Sequence, residues 1–207
     1  YKLSAASKGI YNFVWNDYCS WYIELIKPDQ PGQEIREGSL NVATYVLGEI
    51  LKLLHPFTPF VTEQIYLDLT GQTIDSDVTL TYGPWPAVNP EFIDDNLEAR
   101  LARIQDVVTA VRALRSELNV HPGKKSDLHV RVSDVEFGKL LDDHIEYFRS
   151  LARVETLHCG LDIRKPPLSA SVVISGAEIF LPLEGLIDLE AEKKRLQKEL
   201  ANLKDQL

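Results

Sequence analysis

Residues 106–125 read DVVTAVRALRSELNVHPGKK, an apolar helical stripe that ends in a basic Pro-Gly turn. The apolar residues recur at the three- and four-residue spacing of a helix with one buried face: Ile104, Val107, Val108, Val111, Leu114 and Leu118. Arg112, Arg115 and Asn119 follow the same spacing, so we expect them to share a face beside this stripe. Guanidinium groups held beside packed side chains can clamp phosphate or stack on a base.

The turn that follows adds Lys124 and Lys125, two lysines with a free path to phosphate. Residues 100–125 carry six Lys or Arg against two Asp or Glu, a local charge of +4 in a chain whose net charge is -9. The overall charge opposes a general nucleic-acid binder. An acidic protein with one basic segment suits an anionic ligand that binds at a single site. The alternative is that the basic residues form an ordinary solvated helix face.

Helical spacing of apolar residues on both sides of this stretch predicts four helices, over residues 5–26, 39–54, 58–71 and 94–119. Ser39 and Thr58 are the expected N-caps of the second and third helices. Residues 71–92 contain too many helix breakers for a regular element. The connections and the matching apolar faces predict a four-helix bundle.

Beyond Pro122 the apolar period changes from helical to alternating, which predicts a strand at 127–132. A helix is expected over 134–152. Further strands are expected at 154–158, 170–174 and 178–183, with Ser175-Gly176 joining the last two as a hairpin. Residues 126–186 therefore predict a small α/β unit.

From Asp188 onward, leucines recur every seven residues at Leu189, Leu196 and Leu203, a pattern typical of a coiled coil. An ordinary surface helix is the alternative for so short a stretch. The predicted fold is mainly α, with a helical bundle at 1–125, a small α/β unit at 126–186 and the start of a coiled-coil helix at 187–207.

Exposed aromatic side chains offer a second way to bind nucleic acid, because bases stack on them. The first predicted helix carries Trp15, Tyr18, Trp21 and Tyr22 at helical spacing, with Tyr11 one turn before them. Tyr18 and Trp21 are expected in the core. Tyr11 and Trp15 lie at the edge of the apolar stripe and are the candidates for stacking.

No pattern of catalytic or metal-binding residues stands out. The five histidines lie in different predicted elements, without the close spacing of zinc ligands. Gly123-Lys124 lacks the earlier glycine that a phosphate-binding loop needs. The two cysteines are not arranged as a disulfide framework, which fits the cytoplasm. The absence of Met and the end at Leu207, inside a helical pattern, suggest a piece of a larger protein.

Five segments resemble the C-terminal part of the valyl-tRNA synthetase family, which belongs to the class I aminoacyl-tRNA synthetases. They are WNDYCSWYIELIKP at 15–28, LHPFTPFVTEQIY at 54–66, TYGPWP at 81–86, VRALRSELNVHPGKK at 111–125 and GAEIFLPLEGLIDLEAEKKRLQKELANL at 176–203. The second segment is similar to a join that the isoleucyl and leucyl enzymes share. The last two segments, in this order, resemble the valyl family most specifically.

The resemblance implies that residues 1–125 bind the anticodon loop of valine tRNA. Arg112 and Arg115 would then clamp phosphate or base edges, Asn119 would offer a hydrogen-bond donor and acceptor, and Lys124 and Lys125 would hold the RNA backbone. It also implies that a domain outside this chain catalyses the ligation with ATP and Mg²⁺, so the chain itself holds neither catalytic residue nor cofactor.

The expected chain is monomeric and does not engage a membrane. Two alternatives are the anticodon-binding part of the isoleucyl or leucyl enzyme, and a coiled-coil protein-interaction module with no RNA role. The heptad pattern at the end argues against the first. Sedimentation would separate the second, because a stable dimer that ignores RNA would favour it.

Overall fold

The computed structural model describes residues 2–28, 32–74 and 79–187. The chain forms two compact units, Tyr1–Ile93 and Asp94–Leu207. It is mainly α-helical, with one four-stranded mixed sheet in the second unit. No helix among the described residues is long and apolar enough to cross a membrane.

The first unit is built from helices. Its first helical stretch runs without a break through α1 (Leu3–Asn12), a π-helical segment (Phe13–Tyr22) and α2 (Ile23–Ile26). It is followed by α3 (Glu37–Leu54) and α4 (Pro59–Thr70). The three helices expected in this region are therefore confirmed, each close to its predicted bounds.

The predicted N-cap of α3 was wrong, and the predicted N-cap of α4 is correct in position. The N-cap position of α3 is Arg36, because extended backbone dihedrals end there and helical ones begin at Glu37. Ser39 lies inside the helix, where its carbonyl oxygen accepts a hydrogen bond from the Tyr22 hydroxyl at 3.0 Å. Thr58 does occupy the N-cap position of α4, but its side chain caps no N–H.

The first helix is fixed to α3 by its tyrosines. Tyr18 is 8% exposed, and its hydroxyl donates to the Ala43 carbonyl at 2.9 Å. This placement confirms the prediction that Tyr18 belongs to the core. Trp21 is half-buried.

The irregular connection after α4 contains two short 3₁₀ turns, Leu80–Tyr82 and Pro90–Phe92. Both carboxylate oxygens of Glu63 accept from the Leu80 N–H at 3.2 Å. The His55 ring bridges the Thr62 and Thr81 hydroxyls at 2.9 and 3.2 Å. These contacts fix part of the connection to the corner between α3 and α4.

The second unit begins with α5 (Asp95–Glu117), whose first turn is capped by the Asp94 carboxylate accepting from the Leu97 N–H at 2.9 Å. Two helices and four strands follow: β1 (Ser126–Val132), α6 (Val135–Asp143), α7 (Ile145–Ala152), β2 (Val154–Gly160), β3 (Ser169–Ile174) and β4 (Ala177–Pro182). All four strands were predicted. The single helix predicted over 134–152 is in fact two, because the backbone at His144 leaves the helical region.

The sheet has the strand order β2-β1-β4-β3, with β1 parallel to β2 and the other pairs antiparallel. The predicted hairpin joins β3 and β4 through Gly176, whose φ of +78° is one that L side chains rarely adopt. Alternate residues of β1 (Leu128, Val130 and Val132) are buried. Phe137, Phe148 and Phe180 are the largest fully buried side chains.

The apolar stripe of α5 lies against this sheet. The helix contacts β3, β4, α6 and α7, and Val107, Val108 and Val111 are fully buried. The two compact units meet at Ile93/Asp94, and the domain boundary at 125/126 expected from the sequence stays a prediction. The expected coiled-coil start at 187–207 lies outside the described residues, apart from Ile187.

Candidate nucleic-acid interface

The end of α5 is a Schellman motif. Asn119 adopts a left-handed conformation with φ of +52°, which asparagine tolerates better than most residues. Its N–H donates to the Ser116 carbonyl at 3.1 Å, and the Val120 N–H donates to the Arg115 carbonyl at 2.9 Å. Asn119 therefore has a backbone role in ending the helix, while its side chain is exposed.

Arg115 is buried, with 7% of its surface exposed. Its guanidinium donates to the Ser126 hydroxyl at 3.1 Å and to the Lys124 carbonyl. Burial, and secondarily the charge of Arg153, lowers the pKa of this guanidinium. The expectation that Arg115 clamps RNA is corrected accordingly: the side chain ties the end of α5 to the turn and to β1.

Arg112 lies on the exposed surface of the same helix. Within the described part of the chain it has no hydrogen bond or ion pair from its side chain. The three-residue spacing thus separates a buried arginine from an exposed one. Arg112 keeps its full donor set available for an anion.

The two lysines of the turn also differ. The Lys124 ammonium donates to the Gly185 and Leu186 carbonyls at 3.0 and 3.1 Å, so the protein already uses it. Lys125 is exposed, and no described residue forms an ion pair or hydrogen bond with its ammonium. Of this pair, Lys125 is the one whose N–H donors are all unused by the described residues.

Arg153 is a cation that the sequence patterns did not single out. It ends α7 in a left-handed conformation with φ of +55°, and its side chain is exposed. Its carbonyl accepts from the Ser126 N–H at 3.1 Å, which places it beside the start of β1. No carboxylate of the described ranges pairs with it. The parallel pairing of β1 with β2, which brings residue 153 next to residue 126, has no local sequence signal.

Arg112, Lys125 and Arg153 are therefore exposed cations near the end of α5 whose side chains form no ion pair with the described residues, and we call them the basic cluster. Asp127 and Glu155 follow one residue into β1 and β2 and are exposed. Repulsion from these carboxylates disfavours an anion along the two strands.

The first unit carries the two candidate stacking residues on one exposed helical surface. Tyr11 and Trp15 are 62% and 61% exposed. Their ring centroids are 6.3 Å apart, and the ring planes differ by 2°. Two parallel exposed rings give unstacked bases of an RNA loop a flat surface to pack on.

Other reactive groups in the described part of the chain do not form a catalytic or metal site. No three His, Cys, Asp or Glu side chains there are grouped to hold a metal ion. His129 and His158 stack with centroids 4.6 Å apart on neighbouring strands, but as a pair. Burial raises the pKa of Cys159 to about 12, so this thiol is not a nucleophile at neutral pH.

Comparison with known proteins gives a consistent result. A family model described as the anticodon-binding domain of tRNA ligase matches residues 1–132. The valine–tRNA ligase of Nitratidesulfovibrio vulgaris is 39% identical over 98% of this chain, and those of Listeria monocytogenes and Bacillus subtilis are 36% and 35% identical over 97% and 98%. The chain spans 22–23% of the length of these relatives.

Proposed function

We propose, from the premise that this chain belongs to the family of anticodon-binding domains of tRNA ligases, that it binds the anticodon loop of valine tRNA for a valine–tRNA ligase. The relatives that match nearly the whole chain are named as valine–tRNA ligases, which supports valine as the amino acid. In this proposal the ligation reaction, with its ATP and Mg²⁺, takes place in a part of the protein that this sequence does not contain.

The observation that carries the proposal is the basic cluster of Arg112, Lys125 and Arg153. An acidic chain leaves these three cations exposed and without ion pairs among the described residues, although it has carboxylates in excess. Unpaired surface cations attract the RNA backbone and position it without reading its sequence. Bases of a single-stranded loop can then be read by stacking and edge contacts.

The division of roles among the proposed RNA-contacting residues follows from their exposure. Arg112 and Lys125 bind phosphate, with Arg153 added to them. Asn119, whose side chain is exposed, offers its amide to a base edge. Tyr11 and Trp15 stack with bases on the first unit.

Three further features belong to the same proposal. The chain acts in the cytoplasm as a monomer, the state in which one anticodon-binding domain meets one tRNA. The helices of the first unit form a helical bundle without α5, whose apolar stripe is covered by the sheet of the second unit. The heptad pattern after residue 187 begins a coiled coil.

Replacing Trp15 with leucine is expected to weaken binding of valine tRNA by about 1–3 kcal/mol, the contribution of one stacked base. Leucine keeps the apolar character of the position but removes the flat ring. The change is measured as a dissociation constant by fluorescence anisotropy at low salt. Tyr45→Leu is the matched control, because Tyr45 is an exposed aromatic on α3, 55% exposed. Equal losses in the two variants would contradict a specific stacking role for Trp15.

A further inference from the structure

The chain leaves the sheet through a tight turn at residues 183–187. The Leu183 carbonyl accepts from the N–H groups of Leu186 and Ile187 at 3.0 and 3.4 Å. Gly185 has a φ of +70°, and Leu186 is 4% exposed. The Leu183 N–H donates to the Leu168 carbonyl at 2.9 Å, which anchors the start of the turn.

Lys124 holds this turn from a position 61 residues before Gly185 in the chain. Its ammonium donates to the Gly185 and Leu186 carbonyls, at 3.0 and 3.1 Å, and an ammonium has three N–H donors in all. Charge-assisted hydrogen bonds of this kind are stronger than those between neutral groups. The lysine side chain is therefore directed to the protein's own backbone.

The backbone N–H and carbonyl of Lys124 also form hydrogen bonds. Its carbonyl accepts from the buried Arg115 guanidinium, and its N–H donates to the His121 carbonyl at 3.0 Å. The same guanidinium donates to the Ser126 hydroxyl. A continuous set of contacts thus runs from α5 through Arg115 and Lys124 to the turn at 183–187.

We propose that Lys124 is a positioning residue that clasps the turn at 183–187 to the end of α5. The clasp fixes where the chain leaves the sheet relative to Arg112 and Lys125, the cations proposed to contact RNA. The positioning itself needs no RNA, and its consequence for tRNA binding rests on the proposed function. Lys124 and Lys125 are neighbours of identical chemistry with different roles: Lys124 binds the protein's own backbone, and Lys125 binds the ligand.

Hydrogen exchange of the whole 207-residue chain tests the clasp without RNA. In Lys124→Met the amides of residues 183–187 are expected to exchange about tenfold faster or more, because the carbonyls of the turn lose two charge-assisted bonds. Lys125→Met is the matched control and leaves these amides unchanged. Lys124→Arg restores protection, since a guanidinium can also donate to two carbonyls. Unchanged exchange in Lys124→Met, or acceleration spread equally over β1 and β4, would overturn the proposal.

The salt dependence of tRNA binding tests whether Lys124 itself binds phosphate. Removing one cation that binds phosphate reduces the slope of log affinity against log salt by roughly 0.7–0.9. Lys125→Met is expected to show that reduction, while Lys124→Met keeps the slope of the unaltered chain. A reduced slope in Lys124→Met with normal exchange would make Lys124 a phosphate ligand and would overturn the proposal. If no variant binds tRNA, the proposed function fails, and the exchange result alone decides the clasp.

Discussion

Arg115→Ala is expected to lower the free energy of unfolding of this chain by about 2–4 kcal/mol. The substitution removes a buried guanidinium and leaves the Ser126 hydroxyl and the Lys124 carbonyl without their donors. A buried polar group without a partner costs about 1–3 kcal/mol, and the space left by the side chain adds to this. Urea denaturation followed by circular dichroism measures the loss.

Arg112→Ala is the matched control, because it removes the same side chain one turn earlier on the exposed surface of α5. Its effect on the free energy of unfolding is expected to stay within about 0.5 kcal/mol. Equal stability changes in the two variants would mean that Arg115 is not the buried tie described here. A large loss of tRNA affinity in a fully stable Arg115→Ala variant would return that arginine to the RNA-binding residues.

Replacing all three members of the basic cluster with glutamine is expected to weaken tRNA binding by about 3 kcal/mol at low salt, or roughly a hundredfold. This figure takes roughly 1 kcal/mol for each charge-assisted contact with phosphate. Arg112, Lys125 and Arg153 form no ion pair with the described residues, so the protein loses little stability when they are neutralised. Anisotropy titrations across a range of salt concentrations give both the affinity and its salt slope.

A second triple variant controls for the change in net charge. Lys139, Arg164 and Lys165 are exposed cations of the same unit, in α6 and in the segment after β2. Replacing these three residues with glutamine changes the net charge by the same amount, but at other places on the unit. If this variant loses as much affinity as the first, the attraction comes from overall charge, and the basic cluster has no special role.

The sequence predicts the secondary structure well because its signals are local. Helix α4 runs from Pro59 to a left-handed Gly71, Asp94 caps α5, and the strands alternate apolar and polar side chains. The break at His144 has no such residue, so the continuous apolar pattern of 134–152 conceals two helices. The predicted cap at Ser39 shows the same limit, because a suitable side chain does not by itself decide where a helix starts.

The candidate site is less predictable because it depends on contacts between distant segments. Helical spacing places Arg112 and Arg115 on one side of α5. How deeply each side chain is buried depends on the sheet that covers the apolar stripe. Lys124 is tied to carbonyls 61 and 62 residues away. Arg153 joins the cluster through the parallel pairing of β1 and β2. The apolar stripe of α5 predicts a buried face, yet it does not say which unit covers it.

The most direct test of anticodon binding is a low-salt titration of the chain with valine tRNA and with the same tRNA carrying a changed anticodon. We predict that the affinity falls by about tenfold or more with the changed anticodon, a difference of about 1.4 kcal/mol. Equal affinity for the two RNAs would contradict anticodon recognition, because the chain would then hold only the RNA backbone.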